Sequence, residues 1–124
     1  TGNTEMMAQA IAEGAGADLF SVSDFSGNIA DCEKIAFGCP AMGAEVLEED
    51  EFEPFFAAIE DSLSGKTVAL FGSYGWGDGE WMRSWEERVK ADGAVLFGDE
   101  GLIVNETPSA DDLEKCRELG KALA

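Results

Sequence analysis

The sequence predicts an α/β fold of the doubly wound parallel class, built as a single domain over residues 1–124. Three observations carry that reading. Helix-period and strand-like segments alternate along the chain with no internal repeat and no low-complexity linker. Residues 66–71 form an apolar, β-branched run, the kind found in a strand covered on both faces. Glycine-rich stretches follow the strand candidates, where this fold class keeps its ligand-binding loops. A length of 124 residues suits one core and is too short for two ordinary domains.

The elements follow in order. Residues 3–13 carry Met7, Ala10 and Ile11 at helical spacing, and Gly14 is expected to stop the helix. Residues 18–23 read as a short, partly polar strand, and 34–39 as a second one running into the loop Gly38-Cys39-Pro40-Ala41-Met42-Gly43. After an acidic stretch at 45–53, Pro54 suits the first turn of a helix reaching about Leu63 and closed by Ser64-Gly65. The strand at 66–71 then enters residues 72–79, four of whose eight residues are glycine, so they form a loop. Trp81, Trp85 and Val89 lie on one stripe of the next helix. A strand at 94–97 is continued or extended by 102–104. Ser109 and Asp112 have capping-box spacing before a last helix with Leu113, Cys116, Gly120 and Leu123 inward. Each of these apolar stripes has core packing as its first explanation.

Charge and composition exclude several functions. Against 8 Lys and Arg stand 26 Asp and Glu, a net charge of -18 that repels phosphodiester backbones and anionic lipid, so neither nucleic acid nor membrane is an expected partner. With no His, the usual neutral-pH general base and the commonest metal ligand are both absent. A hydrophobic share of 45% with 8 Phe and 3 Trp nevertheless supports a folded core rather than an acidic disordered chain. Three widely spaced cysteines without a CxxC pair argue against a disulfide framework or structural metal and suit a reducing cytosol, so a cytoplasmic location is expected.

Three loops are candidates for chemistry. Thr1-Gly2-Asn3-Thr4 precedes a helix, where bare backbone N–H groups and hydroxyls meet the positive end of the helix dipole, which is phosphate-cradle chemistry; a plain N-cap is the competing explanation. No Lys or Arg occurs before Lys34, so a phosphate held there is bound by neutral donors. Residues 40–45 combine the flexible Met42, which could equally be core, with a turn glycine and the carboxylate of Glu45. Ser73-Tyr74-Gly75-Trp76-Gly77 presents an indole between glycines, and an aromatic and a methionine on separate loops can sandwich a flat ring.

These loops carry a resemblance. The strings TGNTE at 1–5, GCPAMGAEVLEE at 38–49, EFEPFF at 51–56, GKTVALFGSYGWGDGEWM at 65–82 and LIVNETP at 102–108 resemble the short-chain flavodoxins of anaerobic bacteria across nearly the whole chain. The resemblance implies a flavodoxin-like sheet of order 2-1-3-4-5 and one non-covalently bound FMN. It implies that Thr1, Gly2, Asn3 and Thr4 hold the FMN phosphate and that Pro40 and Ser73 lie beside the ribityl and phosphate. Met42 and Trp76 would cover the two ring faces, Glu45 would accept from the ring N3–H, and the backbone of Gly75, Trp76 and Gly77 would donate to ring O2. Ala41, Gly43, Ala44 and Tyr74 complete the cofactor-binding loops.

By the same resemblance the expected function is a low-potential one-electron carrier, not an enzyme, that shuttles electrons between redox enzymes in place of ferredoxin. The alternative is a small FMN-dependent quinone or NAD(P)H reductase, for which one short domain leaves little room. A response-regulator receiver would need a phospho-accepting Asp where this chain has Phe37-Gly38-Cys39-Pro40. The expected partners are redox enzymes with basic docking patches, and the expected state is a monomer. Carboxylates expected near the ring, Glu45, Glu48, Glu49 and Asp78, would lower its potential and steer docking, or else be ordinary solvated charges. In the turn Met42-Gly43-Ala44-Glu45, a positive φ at Ala44 would cost roughly 1 kcal/mol, or about 40 mV against one-electron reduction.

Two departures from the family pattern are expected to matter. The strand that precedes TGNT in the family is absent here, and in the 2-1-3-4-5 order it would lie between residues 18–23 and 34–39. The domain is therefore expected to be N-terminally incomplete, and the first helix looks about a turn short before Gly14-Ala15-Gly16.

Overall fold

A computed structural model describes residues 2–41, 47–75 and 77–124. Among these residues four helices and four strands alternate, except that two strands stand in succession before the last helix. Helix α1 (Asn3–Ala15) is followed by a short 3₁₀ turn at Ile29–Asp31 and strand β1 (Lys34–Gly38). Helix α2 (Phe52–Ile59) runs into a 3₁₀ turn at Glu60–Ser62, then strand β2 (Thr67–Tyr74) and helix α3 (Glu80–Ala91). Strands β3 (Val95–Leu96) and β4 (Leu102–Asn105) precede the closing helix α4 (Ala110–Leu123).

All pairings are parallel and β2 is their hub. Lys34 faces Thr67 and Gly38 faces Phe71 along β1, β3 pairs with the start of β2, and β4 pairs with its end from Phe71 to Tyr74. The strand expected at 94–97 with its extension is thus one interrupted edge, broken by the turn at Phe97–Asp99 where Gly98 takes φ 74°. Residues 68–73 of β2 are all buried, as expected for the apolar run to Phe71, and the burial continues through Gly72 and Ser73. Period-two alternation splits them between two cores: Val68 and Leu70 join Phe56, Trp81, Trp85 and Val89 beneath α2 and α3, while Phe71 joins Met7, Ile11, Val104 and Cys116 beneath α1 and α4.

The helix ends follow local chemistry, with one correction. Ser109 and Asp112 form the expected reciprocal capping box on α4. Gly14, expected to stop α1, lies inside it, and the helix closes instead at Gly16 with φ 65°. Packing explains the difference. A Cβ on Gly14 would sit 2.1 Å from the Arg117 carbonyl oxygen and one on Gly120 2.1 Å from that of Ile11, so both glycines let α1 and α4 approach backbone to backbone.

The strand expected at 18–23 is not formed; residues 22–24 make a turn, and the Asp24 and Phe25 N–H groups both donate to the Ser21 carbonyl. A strand needs a hydrogen-bonded neighbour, and no described strand lies beside the free edge of β1. An apolar groove of about 400 Å³ occupies that position, bordered by Ile11, Phe20, Val22, Phe25, Ile35 and Phe37. Among the described residues the parallel order is therefore β1-β2 followed by the split edge β3/β4.

Candidate functional site

The carboxyl ends of β1 and β2 and the first turn of α1 meet at one residue. Ser73, 6% exposed, is the one buried polar residue among those described. Its N–H donates to Thr4 Oγ1 at 3.2 Å, the two hydroxyls lie 3.3 Å apart, and its carbonyl accepts from the Ala41 N–H at 3.0 Å. Residues 4, 41 and 73 are thereby drawn together from the first turn of α1, the segment after β1 and the end of β2. One residue from each of the three candidate loops, Thr4, Ala41 and Ser73, is thus brought to the same place.

Local chemistry sets each part. Gly2, at φ 91°, occupies the N-cap of α1 and has no side chain with which to occupy the helix's first N–H groups. Its carbonyl accepts from the Met6 N–H at 2.9 Å, which starts the helix immediately. The positive end of the α1 dipole therefore opens beside the Thr4 and Ser73 hydroxyls, and residues 2–4, 39–41 and 72–75 contain no Lys or Arg. Such a donor set is neutral, oriented, and suited to an anion with several oxygens.

Beneath the site the ends of β1 and β2 are locked. The Trp81 indole N–H donates to the Cys39 carbonyl at 3.1 Å, and Gly72 permits the contact, since a Cβ there would lie 2.2 Å from the same oxygen. The Tyr74 and Trp81 rings lie 5.6 Å apart. Cys39 Sγ accepts from the Glu48 N–H at 3.3 Å and closes the base of the loop that leaves β1. Burial pushes the Cys39 thiol up to about 11, so it stays neutral at physiological pH.

Two of the expected field charges, Glu48 and Asp78, have local partners. The Glu48 carboxylate accepts from the N–H groups of Phe52, Glu51 and Asp50, which hold it below the usual carboxylate range and cap the start of α2. Asp78 accepts from Arg83 Nη2 at 3.0 Å, and Glu80 from the same nitrogen at 2.8 Å, so the two carboxylates share the one positive charge of Arg83. Thr1, Met42, Gly43, Ala44, Glu45 and Trp76 lie outside the described residues.

One side chain near the site escaped the sequence reading. Asn105, at the end of β4, donates through Nδ2 to the carbonyls of Gly75 at 2.9 Å and Tyr74 at 3.3 Å. The only sequence signal was an Asn between a strand-like run and the turn-prone Glu106-Thr107-Pro108. Among the described residues no cluster of side chains could hold a metal ion, and no helix is long and apolar enough to cross a membrane.

Known proteins resemble this chain over most of its length. A sequence profile described as Flavodoxin matches residues 1–120. The chain is 48% identical to the flavodoxin of Megasphaera elsdenii across 100% of this chain and 92% of that protein. It is 47% identical to that of Clostridium beijerinckii, again across all of this chain and 93% of the relative. The solution structure of two-electron reduced Megasphaera elsdenii flavodoxin superposes with a TM-score of 0.83, covering 99% of this chain and 91% of that one. The chain belongs to the flavodoxin family, whose cofactor is FMN.

Proposed function

We propose that this chain is a low-potential one-electron carrier that holds FMN non-covalently and passes electrons between redox enzymes in place of ferredoxin. The single observation that supports it most is the junction at Ser73, where the α1 N-terminus, the segment leaving β1 and the end of β2 share hydrogen bonds. FMN supplies one-electron chemistry when bound, and the protein's share is binding, orientation and electrostatics.

The residues present suit that cofactor. The first-turn N–H groups of α1 and the hydroxyls of Thr4 and Ser73 form the neutral donor set a phosphate needs. Thr1, Gly2 and Asn3 join that cradle, with Pro40 and Ala41 beside it. A Cβ on Gly75 would meet nothing within 4 Å, so there is room for a flat ring to approach the backbone at Gly75. Met42 and Trp76 are assigned to the ring faces, Glu45 to the ring N3–H, and Gly43 and Ala44 to the turn between them.

Charge gives the carrier its direction. Each carboxylate about 10 Å from the ring contributes roughly 0.4 kcal/mol in a water-like dielectric, or about 18 mV, toward a lower potential. The excess of 26 acidic over 8 basic residues also steers the monomer toward basic docking patches on its partners in the cytoplasm. Steady-state assays with quinones and NAD(P)H separate this carrier from a small FMN-dependent reductase. Turnover with either substrate would overturn the proposal; electron delivery to a redox enzyme without such turnover supports it.

A further inference from the structure

We propose that Asn105 is a positioning residue for FMN: its amide fixes the carbonyls of Tyr74 and Gly75 and thereby sets the orientation of the glycine-loop backbone toward the ring, a role that rests on the FMN reading above. β2 and β4 pair in register up to Tyr74 and Asn105, and there the ladder ends. Beyond that pair the chain enters the glycine loop, and the Asn105 side chain extends the pairing by one step, donating to Gly75 at 2.9 Å and to Tyr74 at 3.3 Å. Space around Gly75 is open, with nothing within 4 Å of a Cβ placed there, so no side chain of its own anchors Gly75 and the Asn105 amide holds its carbonyl instead. Because a peptide unit is planar, fixing the Gly75 carbonyl fixes the plane of the peptide bond that follows it.

The backbone beside Asn105 is shaped to the same end. Glu106 takes φ 58°, a left-handed conformation that residues bearing a Cβ adopt at a cost, and its N–H donates to the Tyr74 carbonyl at 2.7 Å. That bond is independent of the Asn105 side chain. Removing the amide therefore leaves the strand pairing in place and releases the Gly75 carbonyl.

The test uses the full chain with Asn105→Asp, which keeps the shape and replaces the donor with a repelling carboxylate, and Asn105→Ala, which removes the side chain. FMN dissociation constants for oxidised and fully reduced cofactor, the midpoint potentials and the melting temperature without FMN are measured for each. The expected result is about tenfold weaker binding of oxidised FMN, a further loss of about threefold for the reduced cofactor, and hence more negative potentials. The melting temperature without FMN is expected to stay near that of the unaltered chain. Unchanged affinity and potentials in both variants would overturn the role of Asn105 while leaving FMN binding intact. A fall in melting temperature with unchanged potentials would overturn it too, by making the amide merely structural. Failure of the unaltered chain to bind FMN would overturn the FMN reading itself, and this inference with it.

Discussion

Replacing Thr4 with valine tests the junction at the heart of the site. Valine keeps the shape of threonine and removes Oγ1, the acceptor 3.2 Å from the Ser73 N–H. Ser73 is 6% exposed, so water has little access to take over that bond. Leaving a buried donor without its partner costs about 1–2 kcal/mol. A chain of 124 residues unfolds with an entropy near 0.26 kcal/mol/K, so this loss corresponds to a melting temperature lower by about 4–8 °C. The assay is thermal unfolding of the FMN-free protein, followed by circular dichroism. Thr4→Ser, which retains the oxygen, should recover most of the difference. Thr4→Val melting together with the unaltered chain would refute the reasoning, because Ser73 would then be satisfied without Thr4.

Asp92→Asn should raise stability at neutral pH and not in acid. Asp92 caps the C-terminus of α3, its Oδ2 is shut off from solvent with no hydrogen-bond partner among the described residues, and burial together with the neighbouring Glu60 and Asp61 pushes its carboxyl up to about 6 against the pull of Arg88. A raised carboxyl binds its proton more tightly in the folded state, so its contribution is fully present below about pH 4 and is lost as pH rises through about 6. The variant's gain in urea unfolding should therefore be near zero at pH 4 and about 1 kcal/mol at pH 7.5; a gain independent of pH would contradict the assignment. Gly120→Ala should destabilise the chain by about 2–3 kcal/mol in the same assay, since its Cβ would lie 2.1 Å from the Ile11 carbonyl oxygen and neither helix backbone can yield cheaply; an unchanged midpoint would show that α1 and α4 are not so closely apposed.

What the sequence reveals depends on how far apart the interacting residues are. The α4 capping box and the Trp81, Trp85, Val89 stripe are legible because both partners sit within one or two helical turns. The buried strand β2 is legible because an apolar, β-branched run has few other places to go. Residues 18–23 mislead because strand propensity describes the segment, whereas strand formation needs a neighbour for its backbone groups. The Thr4 and Ser73 loops are each recognisable as candidates, yet their mutual bond joins residues 69 positions apart and only the fold supplies it. Asn105 is hidden for the same reason, reaching 30 residues back to Gly75. Glu48 is concealed differently: its capping bonds are local, but it sits in an acidic run where no single carboxylate stands out.

The most direct test of the account is anaerobic photoreduction of the purified protein after titration with FMN. The account predicts one FMN bound per chain, two resolved one-electron steps in the absorption spectrum, and electron delivery to a redox partner without quinone or NAD(P)H turnover. A chain that binds no FMN at micromolar concentrations, or that accepts electrons only in a single unresolved two-electron step, would contradict it.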